Sequence, residues 1–145
     1  MLTLEQAQGI VRTALTGPRT DDSRRIAVAV VDAGGHLLAL AREEDAPPLL
    51  GHIAEAKAQS CVVYGKPTRT IMDWAEATPI WFEGVSRVAQ SRMTLPLIGS
   101  LGGVLILDAA DKRIGAVGVA GEAGQRDEEL AVLGIETTPF KAFAG

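Results

Sequence analysis

The sequence has one cysteine, few aromatic residues and no run of basic residues. Cys61 has no second cysteine to bond with, so an intramolecular disulfide is excluded, and its apolar helical surroundings predict a buried, unreactive thiol. Aromatic residues make up 4% of the chain, which predicts a core built mainly from Val, Leu, Ile and Ala. The net charge is −4 and Lys and Arg occur singly or in pairs, which argues against a nucleic-acid partner.

The chain also lacks a long uninterrupted apolar segment. Its most apolar region, residues 93–107, is shorter than the ~20 residues that a membrane span needs, and Pro96 and three glycines interrupt it. An export signal has a basic segment followed by an apolar one near its N-terminus, and the first residues of this sequence do not show that pattern. We therefore expect no membrane partner and a cytoplasmic location.

Apolar spacing and turn residues divide the chain into helices and two hairpins. Behind Thr3, which has capping-box spacing with Gln6, a helix runs until Gly17. Further helices are predicted over residues 50–64, 68–74 (capped by Thr68 or Thr70), 79–91 and 125–134, the last closed by Gly134. Strands are predicted over residues 26–32, 36–42, 104–108 and 113–120. This order predicts one α+β domain over residues 1–145, with a mainly antiparallel sheet flanked by helices.

The predicted strands differ in what they present to their surroundings. Neither strand of the first hairpin alternates cleanly, which predicts that both are covered on both faces. On the last strand Ala116, Gly118 and Ala120 share one face. With so little side chain there, a helix, another subunit's backbone or a ligand can approach closely.

His36 follows Gly34 and Gly35 at the start of a strand, where turn formation alone requires no histidine. Its imidazole can bind a metal or metalloporphyrin, act as an acid or base, or bond a backbone carbonyl. The other histidine, His52, lies on a small apolar helix face and is interpreted as structural. Without a third matching ligand or a Cys-x-x-Cys pair, structural zinc is not expected.

Two other features suggest binding of a charged group. Lys57 is flanked by alanines and is interpreted either as a buried cation facing an acid such as Asp32 or as a surface lysine. The glycines from 115 to 124 lack a nucleotide-binding spacing but place backbone N–H groups before a helix, which favours an anion. Alternatively, Asp127 and Glu128 already satisfy that positive helix end.

Four segments, taken together, resemble the GlcG/HbpS-like haem-binding family, which includes the C-terminal domain of PduO-type corrinoid adenosyltransferases. They read VVDAGGHLLALAREEDA, IAEAKAQS, LGGVLI and GAVGVAGEAGQRDEELAVLG. The resemblance implies an α/β domain with a central antiparallel sheet, assembly into dimers or octamers, and binding of haem or a corrinoid in haem degradation or iron handling. The family's Arg-Met-Asp-Gly-Ala segment becomes residues 42–46 here, with Asp45 at the glycine position.

On this resemblance His36 is an axial ligand of haem iron or of cobalt. Lys57 pairs with a propionate or other carboxylate, and the amides from Gly121 to Gln125 hold a second anionic group. The small residues of the last strand form an apolar pocket for the ring. The implied cofactor-binding residues are His36, Lys57, Arg42, Gly121, Gly124 and Gln125.

Two alternatives remain open from the sequence. The first is an isomerase, hydratase or hydrolase acting on a small carboxylated or carbonyl metabolite, with His36 as acid or base, Lys57 or Arg42 on the carboxylate, and glycine amides on an enolate. The second is an accessory subunit whose oligomer is the functional unit. In that case Trp74, Trp81 and Phe82 pack at subunit contacts.

Overall fold

The computed structural model describes all 145 residues and contains a five-stranded antiparallel sheet with helices on both faces. The sheet order is β2-β1-β4-β3-β5, so β1 and β4 form its centre. The predicted α+β fold is confirmed. The elements are α1 (Leu4–Thr16), β1 (Ala27–Asp32), β2 (Leu37–Arg42), α2 (Leu49–Tyr64), α3 (Thr68–Ala77), α4 (Pro79–Met93), β3 (Gly103–Leu107), β4 (Arg113–Ala120), α5 (Gly124–Glu136) and β5 (Lys141–Phe143). None of the helices combines the length and the apolar character that a membrane span requires.

The two faces of the sheet carry side chains of different size. Val28 and Val30 of β1 point toward α1 and α5, where they join the largest cluster of buried apolar residues. Ala27 and Ala29 point the other way, toward α2. Coverage on both faces was predicted correctly for β1 and wrongly for β2, which is an edge strand with exposed leucines at 37 and 40.

Helix α2 lies directly on the backbone of β4. A Cβ atom added to Gly118 would come within 1.9 Å of the Ala54 carbonyl oxygen and 2.8 Å of the Ala58 nitrogen. Ala116 and Ala120 on the same face are fully buried. The sequence allowed a helix, another subunit's backbone or a ligand to approach this face of small residues. Helix α2 occupies it, so the apolar ligand pocket expected there is absent.

Most helix ends follow the expected local signals. Thr3 and Gln6 form the predicted capping box, with each side chain accepting a hydrogen bond from the other's backbone N–H at 3.1 and 2.9 Å. Gly65 ends α2 in the left-handed conformation at φ +73°. Thr68 does not cap α3, because its hydroxyl instead accepts a 2.7 Å hydrogen bond from the Gly103 N–H of β3.

The C-terminal region departs from the prediction. Helix α5 continues past Gly134 to Glu136. Gly134 allows a close approach to α1, since an added Cβ would lie 2.7 Å from the Ile10 carbonyl oxygen. Strand β5, which was not predicted, then pairs with β3 at the second edge of the sheet.

Candidate functional site

The turn between β1 and β2 presents His36 to solvent. Asp32 builds this turn: its Oδ1 accepts hydrogen bonds from the backbone N–H groups of Gly34 (2.9 Å) and His36 (3.0 Å). Gly35 takes a left-handed conformation at φ +82°. The side chain of His36 is 83% exposed and its Nδ1 lies 3.4 Å from Asp32 Oδ1. The glycines and Asp32 therefore shape the turn, and the imidazole is left free.

A cleft of about 480 Å³ lies beside this turn. Its volume and its mixture of apolar walls with a few charged groups are typical of a small-molecule site. The pairing of Asp32 with Gly115 brings the second hairpin to the same end of the sheet, so that Lys112 and Arg113 join His36. The cleft is lined by Met1, Leu2, Asp32, Ala33, Gly34, His36, Leu38, Asp108, Lys112, Arg113 and Ile114.

The two basic residues that line this cleft, Lys112 and Arg113, were not among the predicted site residues. The Arg113 guanidinium donates a 3.0 Å hydrogen bond to the Gly65 carbonyl, which fixes its position at the end of α2. Asp108 Oδ1 accepts the backbone N–H groups of Lys112 and Ala110 at 2.9 Å each, and these bonds lower the pKa of Asp108. The available signal was the charged turn between the strands of the second hairpin, but only the β1–β4 pairing shows that it adjoins His36.

Lys57 is buried and paired inside the protein. Its Nζ donates to the Val119 carbonyl at 2.8 Å and to Asp127 Oδ2 at 3.1 Å, and the two charged side chains are only 5% and 3% exposed. Its partner is therefore Asp127 of α5 and not Asp32. Gly102 leaves room for this contact, because an added Cβ would lie 2.8 Å from Lys57 Nζ. The ammonium does not reach a ligand carboxylate in this arrangement.

Burial has the largest effect on the pKa of Asp127. Loss of hydration raises its pKa from 3.8 to about 6, against the opposing effects of Lys57 and of the Glu122 N–H. That N–H donates to Asp127 Oδ1 at 2.9 Å. Cys61 is also buried, as predicted, and burial raises the pKa of its thiol to about 12.

The glycine-rich segment before α5 is occupied by the protein's own carboxylates. Asp127 accepts the Glu122 N–H, and Glu122 Oε1 accepts the Ala123 N–H at 3.0 Å. Gln125 Oε1 accepts a 2.8 Å hydrogen bond from Arg69, which also binds Glu128. The alternative in which acids satisfy this helix end thus holds for Asp127, whereas Glu128 pairs with Arg69.

The two glycines of that segment have packing roles. A Cβ at Gly121, whose φ is +120°, would lie 2.2 Å from the Arg25 carbonyl oxygen, and one at Gly124 would lie 2.9 Å from Leu101 Cβ. Both are positions where the chain passes close to another segment. Their backbone geometry is explained without a ligand.

The candidate residues lie at opposite ends of β1. Asp32 pairs with Gly115 at one end, and Ala27 pairs with Ala120 at the other, next to Gly121. A strand of six residues spans about 17 Å. A small metabolite bound at His36 therefore does not reach the amides after β4 in the same chain, and the enzyme arrangement that needs both is not assembled within one protomer.

Arg42 belongs to the end opposite His36. It pairs with Ala27 in the sheet, and its guanidinium donates to the carbonyls of Glu43 and Ala46. Glu43 in turn accepts hydrogen bonds from Arg19 (2.6 Å) and the Ile26 N–H (2.9 Å). These contacts make the segment a structural turn.

Asp45 takes the left-handed conformation in that turn, with a φ of +68°. Aspartate tolerates this left-handed region better than most residues with a side chain. The turn therefore forms with aspartate at the position where the resemblance led us to expect glycine.

Comparison with known proteins gives a consistent picture. Residues 2–136 match the model of a family described as haem degrading protein HbpS-like. Protein GlcG of Escherichia coli K12 is 33% identical over 95 residues, which cover 66% of this chain and 63%, less than two thirds, of that relative.

Solved structures resemble the fold closely. A double mutant of Streptomyces reticuli HbpS superposes with a TM-score of 0.75 at 28% identity, covering 94% of this chain and 86% of the other. The complex of PduOC with haem has a TM-score of 0.78 and covers 96% of each chain, and its 21% identity supports a common fold alone.

Proposed function

The chain belongs to the HbpS-like family, and on that premise we propose that it binds haem through the imidazole of His36. The observation that carries the proposal is the 83% exposed His36 side chain beside a cleft of about 480 Å³. An exposed histidine next to partly apolar walls fits an axial ligand of a porphyrin iron. Haem, when bound, supplies the redox-active iron, and the protein supplies the ligand and the walls.

Asp32 supports the role of His36 as a ligand. Its Oδ1 lies 3.4 Å from Nδ1, so in this proposal a proton on Nδ1 faces the carboxylate. The other ring nitrogen, Nε2, then keeps its lone pair for a metal. A carboxylate beside the non-ligating nitrogen is a common partner of metal-binding histidines.

The remaining cleft residues fit the two ends of an amphipathic macrocycle. Leu38 and Ile114 offer apolar contact, and Lys112 offers positive charge to a propionate group. In this proposal Lys112 replaces Lys57, Arg42 and the amides after β4, which already have partners inside the protein, as Arg113 has at the Gly65 carbonyl.

The proposal also covers a second candidate ligand, a pathway, an oligomeric state and a location. A corrinoid is the second candidate ligand, because its cobalt also accepts an imidazole. A role in haem degradation or iron handling is also proposed, and only membership of the family supports it. Self-association into dimers or octamers and a cytoplasmic location also stay predictions.

An absorption titration tests the ligand and the residue together. Purified protein is titrated with hemin and, separately, with cob(II)alamin, as wild type, His36→Ala and His52→Ala. His52 is the matched control, since it is exposed on α2 and does not line the cleft. We expect a saturable shift of the hemin Soret band that His36→Ala abolishes and His52→Ala preserves.

Other results would contradict parts of the proposal. A shift with cob(II)alamin alone would replace haem by a corrinoid at the same residue. No shift with either compound, or a shift that survives His36→Ala, would overturn cofactor binding at His36.

A further inference from the structure

Helix α4 carries two sets of apolar residues, and the rest of the chain covers only one of them. Phe82 and Val85 pack beside the small cluster formed by α3 and the segment after α4. Ile80, Trp81 and Val88, on a neighbouring stripe of the helix, are 89%, 66% and 58% exposed. Ala89 is the only residue of α4 that is fully buried. We refer to Ile80, Trp81, Gly84 and Val88 as the outer stripe.

The aromatic residues near this helix divide between the two faces. Trp74 stacks on Tyr64 with ring centroids 4.6 Å apart and meets Phe82 edge-on at 5.0 Å. Both Trp74 and Phe82 therefore already pack within the chain. Of the three aromatic residues considered for subunit contacts, Trp81 alone presents its ring to the outside.

Gly84 lies in the middle of the outer stripe without a role inside the protomer. No heavy atom outside its own helix backbone and chain neighbours lies within 4 Å of a Cβ added there. Glycine in a helix interior costs about 0.5–1 kcal/mol relative to alanine. The distance between two packed helices depends on the side chains at the contact, so a glycine here allows a second helix to approach closely.

The charges beside the stripe are self-complementary. Glu83 and Arg87 lie on one flank of α4 and pair with each other at 2.6 Å. In two antiparallel helices related by a two-fold axis, the same flank of each helix faces that of the other. An axis near Gly84 brings Glu83 of one copy beside Arg87 of the second, and Trp81 beside Val88.

We propose that the outer stripe of α4 packs antiparallel on the same stripe of a second copy of this chain, about a two-fold axis near Gly84. The proposal rests on the self-association proposed above and names its surface, and it is independent of haem binding at His36. A symmetric contact of this kind covers Ile80, Trp81 and Val88 together.

Sedimentation velocity over a range of protein concentrations tests this surface. Val88→Arg places a charge within the stripe, where the proposed contact covers it, and Gln90→Arg adds the same charge at an exposed position of α4 away from the stripe. We expect the wild type and Gln90→Arg to sediment as the same assembly, and Val88→Arg to shift to the next smaller species with at least a tenfold weaker association. Circular dichroism checks that each variant is folded.

Charge exchange provides a second test. Glu83→Arg and Arg87→Glu each place like charges across the two-fold axis and weaken the assembly, and the double exchange restores it. A wild type that is monomeric throughout overturns both the self-association and this surface. An assembly that resists Val88→Arg overturns the surface alone, and a hemin titration of the same samples reports separately on His36.

Discussion

Lys57 on α2 and Asp127 on α5 form a buried ion pair, with Nζ 3.1 Å from Oδ2, around the end of β3. The two helices lie on opposite faces of the sheet, and the pair joins them past Gly102. Lys57 also donates a hydrogen bond to the carbonyl of Val119, near the C-terminal end of β4. This contact ties three layers of the fold together at one point.

Removal of one partner should destabilise the protein strongly. Lys57→Met leaves the Asp127 carboxylate buried without its cation, and loss of one member of a buried pair costs about 3–5 kcal/mol. We expect the double variant Lys57→Met with Asp127→Leu to recover part of this loss, as measured by urea unfolding at pH 8. Equal losses in the single and double variants would argue against the pair as the cause.

The pH dependence of stability should reveal the titration of Asp127. Its pKa is raised from 3.8 to about 6 in the folded protein, so the folded state holds this proton more tightly than the unfolded state does. The stability from this group is then fully present below about pH 4 and is lost as the pH rises through 6. One pKa unit corresponds to about 1.4 kcal/mol.

Urea unfolding of wild type and Asp127→Asn between pH 4 and pH 7 measures this effect. We expect the stability of the wild type relative to the variant to fall as the pH increases, by at most roughly 3 kcal/mol. A difference that stays constant over this interval would show that Asp127 titrates normally.

Substitution by alanine should have opposite effects at two glycines. Gly118 of β4 lies in close contact with α2, and Gly9 of α1 has no close neighbour. Gly118→Ala places a methyl group 1.9 Å from the Ala54 carbonyl oxygen, and we expect a loss of at least about 3 kcal/mol. Gly9→Ala in α1 has its nearest neighbour at 3.8 Å, so we expect a gain of roughly 0.5–1 kcal/mol. Thermal unfolding of both variants compares them, and similar effects at the two sites would disprove the close contact.

Charge reversal at the cleft should weaken haem binding without removing the axial ligand. We expect Lys112→Glu to reduce hemin affinity roughly three- to tenfold, since one exposed attraction becomes a repulsion. Arg25→Glu is the control and should bind hemin as the wild type does, because Arg25 is exposed just before β1, at the end of the strand opposite His36. An equal loss in both variants would assign the effect to overall charge.

The elements of this fold could be predicted from local signals, and their arrangement could not. Turn residues and apolar runs placed all four strands of the two hairpins within one residue of their observed ends. The exposure of Leu40 depends instead on the strand order, which leaves β2 at an edge. Strand β5 is only three residues long and is held by its pairing with β3. Three residues are too few to show a periodic pattern, so the sequence did not predict this strand.

The candidate site was predicted in part for the same reason. His36 stood out because a turn does not require it, and the structure places it at a cleft. The cations of that cleft belong to β4 and to the turn before it, and only the pairing of β1 with β4 brings them near. Likewise, helical spacing placed Lys57 among packing residues, but its partner Asp127 is 70 positions away along the chain.

The unequal faces of the sheet also determine where this fold has room to diversify. Exchanges among Val, Leu and Ile can be absorbed where β1 and β4 meet α1 and α5, because one side chain can gain the volume that another loses. On the α2 side the backbone of Gly118 lies against the backbone of the helix, so no side-chain volume can be redistributed at that point. New ligand preferences must therefore arise in the turns at the strand ends, where His36 and Lys112 already lie on loops that the core does not constrain.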